Sequence, residues 1–106
     1  MMKLIIDIDN TICDTSTPSY LESKPYKKLI EHFNELYDKG YHLTYYTARG
    51  GNSGIDWTYE TSKQLKEWGV KYNKLIMHKP SYDLWIDDKC ININDYRASK
   101  GIVENN

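Results

Sequence analysis

Asp7 and Asp9 stand two residues apart at the end of the apolar run Leu4-Ile5-Ile6. In an extended strand side chains alternate, so both carboxylates point to one side while Ile8 turns back toward the core. Paired acids on one side of a strand end suit a metal site, a nucleophile with its acid/base partner, or both. A strand with a purely structural role requires neither. Further polar groups follow later apolar runs: Thr47, then Lys79, then Asp87-Asp88. In an open parallel sheet, ligands bind outside the carboxyl ends of the strands, so these positions are expected to share one crevice. Carboxylates converging there repel. At about 4 Å and an effective dielectric of about 20, each like-charged pair costs on the order of 4 kcal/mol. A hard divalent cation relieves that repulsion, and octahedral Mg²⁺ with retained waters fits a few carboxylates better than a caged Ca²⁺ does. Lys79 adds positive charge. A phosphoryl group belongs in such a site, because metal, lysine and hydroxyl donors can share its oxygens.

The elements that must position these groups alternate between strand and helix patterns. Lys3 to Ile8 reads as the first strand. Asn10 to Lys24, with Pro18, reads as a long loop. Pro25 to Lys39 reads as a helix, with Leu29, Ile30, Phe33, Leu36 and Tyr37 at helical spacing and Gly40 as its stop. Tyr41 to Tyr46 is a second strand, and residues 47–54 form a glycine-rich loop. A helix beginning at Ile55 or Asp56 carries Trp57, Thr61, Leu65 and Trp68 on one face and ends at Gly69. Lys74 to Met77 is a third strand, Leu84-Trp85-Ile86 a fourth and Cys90 to Ile93 a fifth. A short helical turn after Asp95 is expected to fray at Glu104-Asn105-Asn106. That order predicts an α/β domain with a parallel sheet and right-handed crossovers.

Composition narrows the class. A chain of 106 residues is one domain, residues 1–106, able to bury a single core. The net charge of −1 argues against a nucleic-acid binder working through bulk positive charge. Cys13 and Cys90 form neither a metal spacing nor a disulfide framework, so reduced thiols and a cytoplasmic location are expected. No run is long enough to cross a membrane. His32, His42 and His78 have no mutual spacing that suggests a metal cluster.

Asp7-Ile8-Asp9-Asn10-Thr11, Thr47, Lys79-Pro80 and Asp87-Asp88 together resemble the four motifs of the haloacid dehalogenase superfamily of phosphohydrolases, in the family's order and across nearly the whole chain. Tyr46-Thr47-Ala48-Arg49-Gly50 and Ile86-Asp87-Asp88-Lys89 also resemble a small bacterial and phage branch linked with surface-polysaccharide synthesis. The resemblance implies a three-layer, Rossmann-like parallel sheet with helices on both faces. It implies a Mg²⁺-dependent phosphatase in which Asp7 is the nucleophile and forms an aspartyl-phosphate. Asp9 would protonate the leaving oxygen, activate water and join the metal shell. Thr47 and Ala48 would hold a phosphoryl oxygen, Lys79 would neutralise developing charge, and Asp87 and Asp88 would bind Mg²⁺ with Asp7. Thr11 would fix the loop after the first strand.

Members of that superfamily usually carry a cap domain. The stretches Ile12 to Lys24 and Arg49 to Asp56 are too short to fold as one, so a capless branch is implied. Its open site would take a large substrate, or a small one enclosed by another subunit. The narrower resemblance favours a phosphorylated sugar or similar metabolite, with Arg49 as a candidate contact through its fork of donors. Two other readings compete. A receiver domain of two-component signalling also uses acids, Thr/Ser, Lys and Mg²⁺, but there a consecutive acid pair follows the first strand, whereas here that pair comes late. A non-catalytic phosphate-binding subunit of the same fold is the other; no expected catalytic position is missing.

Overall fold

A computed structural model of the chain describes residues 2–16, 19–51 and 53–104. Thr17, Pro18 and Asn52, which the sequence places in loops, and Asn105-Asn106 at the fraying end lie outside the described residues. The elements are β1 (Lys3–Asp7), β2 (Cys13–Asp14), a 3₁₀ turn (Tyr20–Glu22), β3 (Lys24–Pro25), α1 (Lys27–Asp38), β4 (His42–Tyr46), α2 (Thr58–Glu67), β5 (Lys74–Ile76) and α3 (Ile93–Lys100). This is a small α/β fold built on a parallel three-stranded sheet in the order β1-β4-β5.

Strand register explains where the core lies. Leu4 pairs with Leu43, Ile6 with Tyr45, and Tyr45 in turn with Leu75. Side-chain alternation puts these residues on one face, where they pack with Leu29, Ile30 and Phe33 of α1 and Leu65 of α2. Gly40, in the left-handed region at φ 95°, ends α1 without the penalty a Cβ would bring. The first turn of α1 has no side-chain cap of its own. Glu104 fills that role from the other end of the chain, its carboxylate accepting from the backbone N–H groups of Lys28 (3.2 Å) and Leu29 (2.8 Å). Helix α3 is fastened nearby, with Tyr96 stacked on Phe33 at 5.6 Å and sharing a 2.6 Å hydrogen bond with His32.

Several sequence expectations are corrected. The loop from Asn10 to Lys24 contains the antiparallel pair β2–β3, in which Pro25 opposite Cys13 is a strand residue rather than the first turn of α1. Glu104 is tied to α1 rather than frayed, and the turn after Asp95 is part of an eight-residue helix that begins at Ile93. The fourth and fifth strands, Leu84–Ile86 and Cys90–Ile93, are not formed. Residues 81–92 are exposed throughout, with Leu84 75% and Ile86 87% accessible. A strand exists only through its ladder, and this segment has no neighbour to pair with. Correspondingly, β1 pairs only with β4 among the described residues, and Ile5, on the face opposite the core, is 72% accessible. No described helix is long and apolar enough to cross a membrane.

Candidate functional site

The carboxyl ends of β1, β4 and β5 and the loops that follow them form the site. Past Asp7, the wholly buried Ile8 anchors the chain, and Asn10 turns it through the left-handed region at φ 61°. The backbone N–H groups of Thr11 and Ile12 both donate to the Ile8 carbonyl, which closes the turn and aims Thr11 back at the strand. Its hydroxyl donates to Asp7 Oδ2 at 2.9 Å. The other oxygen of Asp7 lies 3.3 Å from Lys79 Nζ.

Lys79 reaches that position because its backbone N–H donates to the Thr47 carbonyl, just beyond β4. Its ammonium sits among aromatic faces, 5.0 Å from the Tyr82 ring, 5.6 Å from Trp85 and 5.9 Å from Tyr46. Burial alone would push the Lys79 pKa down. The hydrogen bond with Tyr82 and the charge of Asp7 outweigh it, and the net shift is upward. The group therefore stays a cation at neutral pH.

Asp9 shares the strand end with Asp7 but has different partners. Arg49 grips it with two parallel bonds, Nη2 to Oδ1 at 2.8 Å and Nε to Oδ2 at 3.0 Å, and Thr15 donates to Oδ1 at 2.7 Å. The guanidinium is enclosed on every side. Its third nitrogen donates to Gln64 at 2.7 Å and to Thr61 at 3.3 Å, its face lies 4.8 Å from the Tyr20 ring, and the residue is 1% accessible. A charge so deeply buried is tolerable only when it is paired and hydrogen-bonded, and here Asp9 pairs it while four of its five N–H donors have partners. The next residue, Gly50, sits at φ 79° where a Cβ would collide with the Ile55 carbonyl, so the turn that delivers Arg49 admits only glycine.

These side chains border an open cleft of about 630 Å³, with Asp7, Asp9, Ala48, Arg49 and Lys79 in its lining. Of the residues expected from sequence, Asp7, Asp9, Ala48, Arg49 and Lys79 are thus brought together. Thr47 is adjacent but buried, its hydroxyl accepting from the Arg49 backbone N–H at 3.2 Å. Asp87 and Asp88 are not in the cleft. They are exposed, and the Asp87 carboxyl is held below its ordinary pKa chiefly by the backbone N–H of Lys89. The expected convergence of four carboxylates is therefore not formed within this chain. Among the described residues no group of three or more His, Cys, Asp or Glu is gathered in a way that holds a metal ion. Thr15, Tyr20, Thr61 and Gln64 were not foreseen as site residues. A trace of the last two is visible in sequence: Thr61 and Gln64 are polar yet lie one helical turn apart, beside the core-facing Leu65.

No family model and no curated protein matches the chain. A crystal structure of a structural-genomics target from Vibrio cholerae is similar in fold, with a TM-score of 0.82 and 24% sequence identity over 91% of this chain and 87% of that one.

Proposed function

We propose that this chain is a Mg²⁺-dependent phosphatase that hydrolyses a phosphate monoester of a small metabolite, a sugar phosphate or similar, through an aspartyl-phosphate on Asp7. The observation that carries the reading is Asp7 at the mouth of an open cleft, with Lys79 Nζ 3.3 Å from one oxygen and Thr11 on the other, beside Asp9 on the same strand end. In the first step an oxygen of Asp7 attacks phosphorus in line, and the bond to the leaving oxygen breaks. Asp9 gives a proton to that oxygen. In the second step water attacks the phosphorus of the aspartyl-phosphate, Asp9 takes the water's proton, and Asp7 is released with phosphate. Lys79 balances charge developing on the phosphoryl oxygens. Arg49 acts through Asp9 rather than on the substrate. Four of its five N–H donors go to Asp9, Thr61 and Gln64, the residue is 1% accessible, and its fork fixes the rotamer from which Asp9 works. Each carboxylate oxygen offers two lone-pair sites, so the fork leaves room for the proton Asp9 must carry.

The oxygen donors of the cleft suit a hard cation. Asp7 and Asp9 would hold Mg²⁺ from this side, with Asp87 and Asp88 completing the set. When bound, the metal withdraws charge from the phosphoryl group. The same reading includes a complete haloacid dehalogenase-type three-layer fold and a cytoplasmic location, in keeping with the free thiols of Cys13 and Cys90.

The test is phosphate release across phosphorylated sugars, nucleotides and a generic aryl phosphate. Activity should require Mg²⁺, stop in excess chelator and return with added metal. Asp7→Asn should abolish turnover while the far-UV circular dichroism is unchanged; near wild-type release by that variant would reject the assignment of the nucleophile.

A further inference from the structure

The chain carries a sheet edge without a strand and a strand without a sheet. The outer edge of β1 is unpaired among the described residues, and the Ile5 side chain beside it is exposed. A bare edge invites pairing with another chain unless it is blocked, and β1 carries charge only at its two ends, Lys3 and Asp7, with no proline and no bulge between them. The segment Leu84-Trp85-Ile86 has the β-branched and aromatic composition of a strand, yet Leu84 and Ile86 are among the most exposed apolar residues of the chain. It belongs to an arm, residues 81–92, exposed along its whole length and tethered at both ends: at Lys79 beside Asp7, and at α3, which is locked onto α1.

The arm cannot lie parallel to its own β1. At Lys79, and still at Trp85, whose ring is 5.6 Å from Lys79 Nζ, the chain is at the carboxyl end of the sheet. A parallel strand must start from the amino end. Only Pro80 to Asp83 would be available for the descent, spanning about 14 Å at full stretch, where parallel connections ordinarily take a dozen residues or more. A second copy removes the difficulty. With two chains related by a two-fold axis perpendicular to their strands, the arm leaving the carboxyl end of one sheet runs antiparallel to its own β1 and therefore parallel to the other's.

We propose that two copies of this chain exchange their arms, each adding Leu84-Trp85-Ile86 as an edge strand parallel to the other copy's β1, so that Asp87 and Asp88 arrive beside the other copy's Asp7 and Asp9. The pairing is isologous and closes as a dimer. It fills both bare edges, covers Ile5 and supplies the acids that a single chain leaves outside its cleft. The exchange stands on geometry; the role given to the delivered acids rests on the phosphatase reading.

Sedimentation should give twice the chain mass of 12.5 kDa. In a Cys90→Ser background, Ile5→Cys with Trp85→Cys should oxidise to a covalent dimer on a non-reducing gel. Mixing Asp7→Asn chains with chains carrying Asp87→Asn and Asp88→Asn should restore about a quarter of wild-type phosphate release, because half of randomly paired dimers are mixed and each of those holds one intact site. A monomeric wild-type protein, or a disulfide formed within one chain, overturns the exchange. An active wild type whose mixed variants stay inert overturns the delivery of the acids. A wild type that releases no phosphate sinks the phosphatase reading instead, while the disulfide still decides the exchange.

Discussion

Arg49 and Asp9 lie 40 residues apart in sequence and form the most heavily committed contact of the site. Arg49→Lys keeps the charge but replaces a planar fork with a single ammonium, which cannot hold both oxygens of Asp9 and also reach Gln64. For the proposed phosphatase, phosphate release should fall by about tenfold or more while KM changes little, as measured by initial rates. Arg49→Ala should lower stability by about 2 kcal/mol or more in urea unfolding, somewhat less than for a fully buried pair because Asp9 is partly exposed. Tyr45 shows the opposite situation. Its hydroxyl is buried without a hydrogen-bond partner among the described residues, so Tyr45→Phe should be neutral or stabilising by up to about 1 kcal/mol. The cysteines also divide by environment. Burial raises the Cys13 thiol pKa, whereas Cys90 is exposed, so a thiol reagent should label one group quickly in the native protein and the second only after denaturation.

At the scale of elements, the tie between the chain's far end and α1 has a measurable cost of removal. Glu104→Ala leaves two N–H groups of the first turn without their acceptor and should cost about 1 kcal/mol, read as a shift in thermal midpoint. Which elements the sequence announces follows from where their stability originates. β1, β4, β5, α1 and α2 were legible because each buries an apolar face whose spacing is written locally: Leu29, Ile30 and Phe33 at helical intervals, and the unbroken run Leu4-Ile5-Ile6. That Asp7, Asp9 and Lys79 share one cleft was legible because strand ends fix their placement. The pair β2–β3 was invisible, being two residues per strand with no pattern long enough to read. The tripeptide Leu84-Trp85-Ile86 has a strand's composition but no edge of its own to join, and composition does not reveal whether an edge is available. The role of Arg49 depends on long-range partners on three separate segments, which local spacing does not encode.

For the whole molecule, the packing of α3 on α1 governs a pH response. His32 lies in that contact, and burial first, then the charge of Lys100, with Glu35 opposing and Lys39 adding least, lowers its pKa from the ordinary 6.5. The folded chain therefore binds this proton less readily than the unfolded chain. Its contribution to stability is complete above about pH 6.5 and is lost as pH falls toward the lowered folded value. The thermal midpoint of the wild type should drop more between pH 7.5 and 5.5 than that of His32→Asn, and equal drops would remove His32 as the cause. The placement of the tryptophans has a practical consequence. Of the three indoles, Trp57 lines the cleft and Trp85 lies against the Lys79 ammonium, while Trp68 packs on the core. Intrinsic fluorescence is thus weighted toward the cleft end of the sheet, and a ligand titration can be followed by emission intensity and wavelength without any added dye.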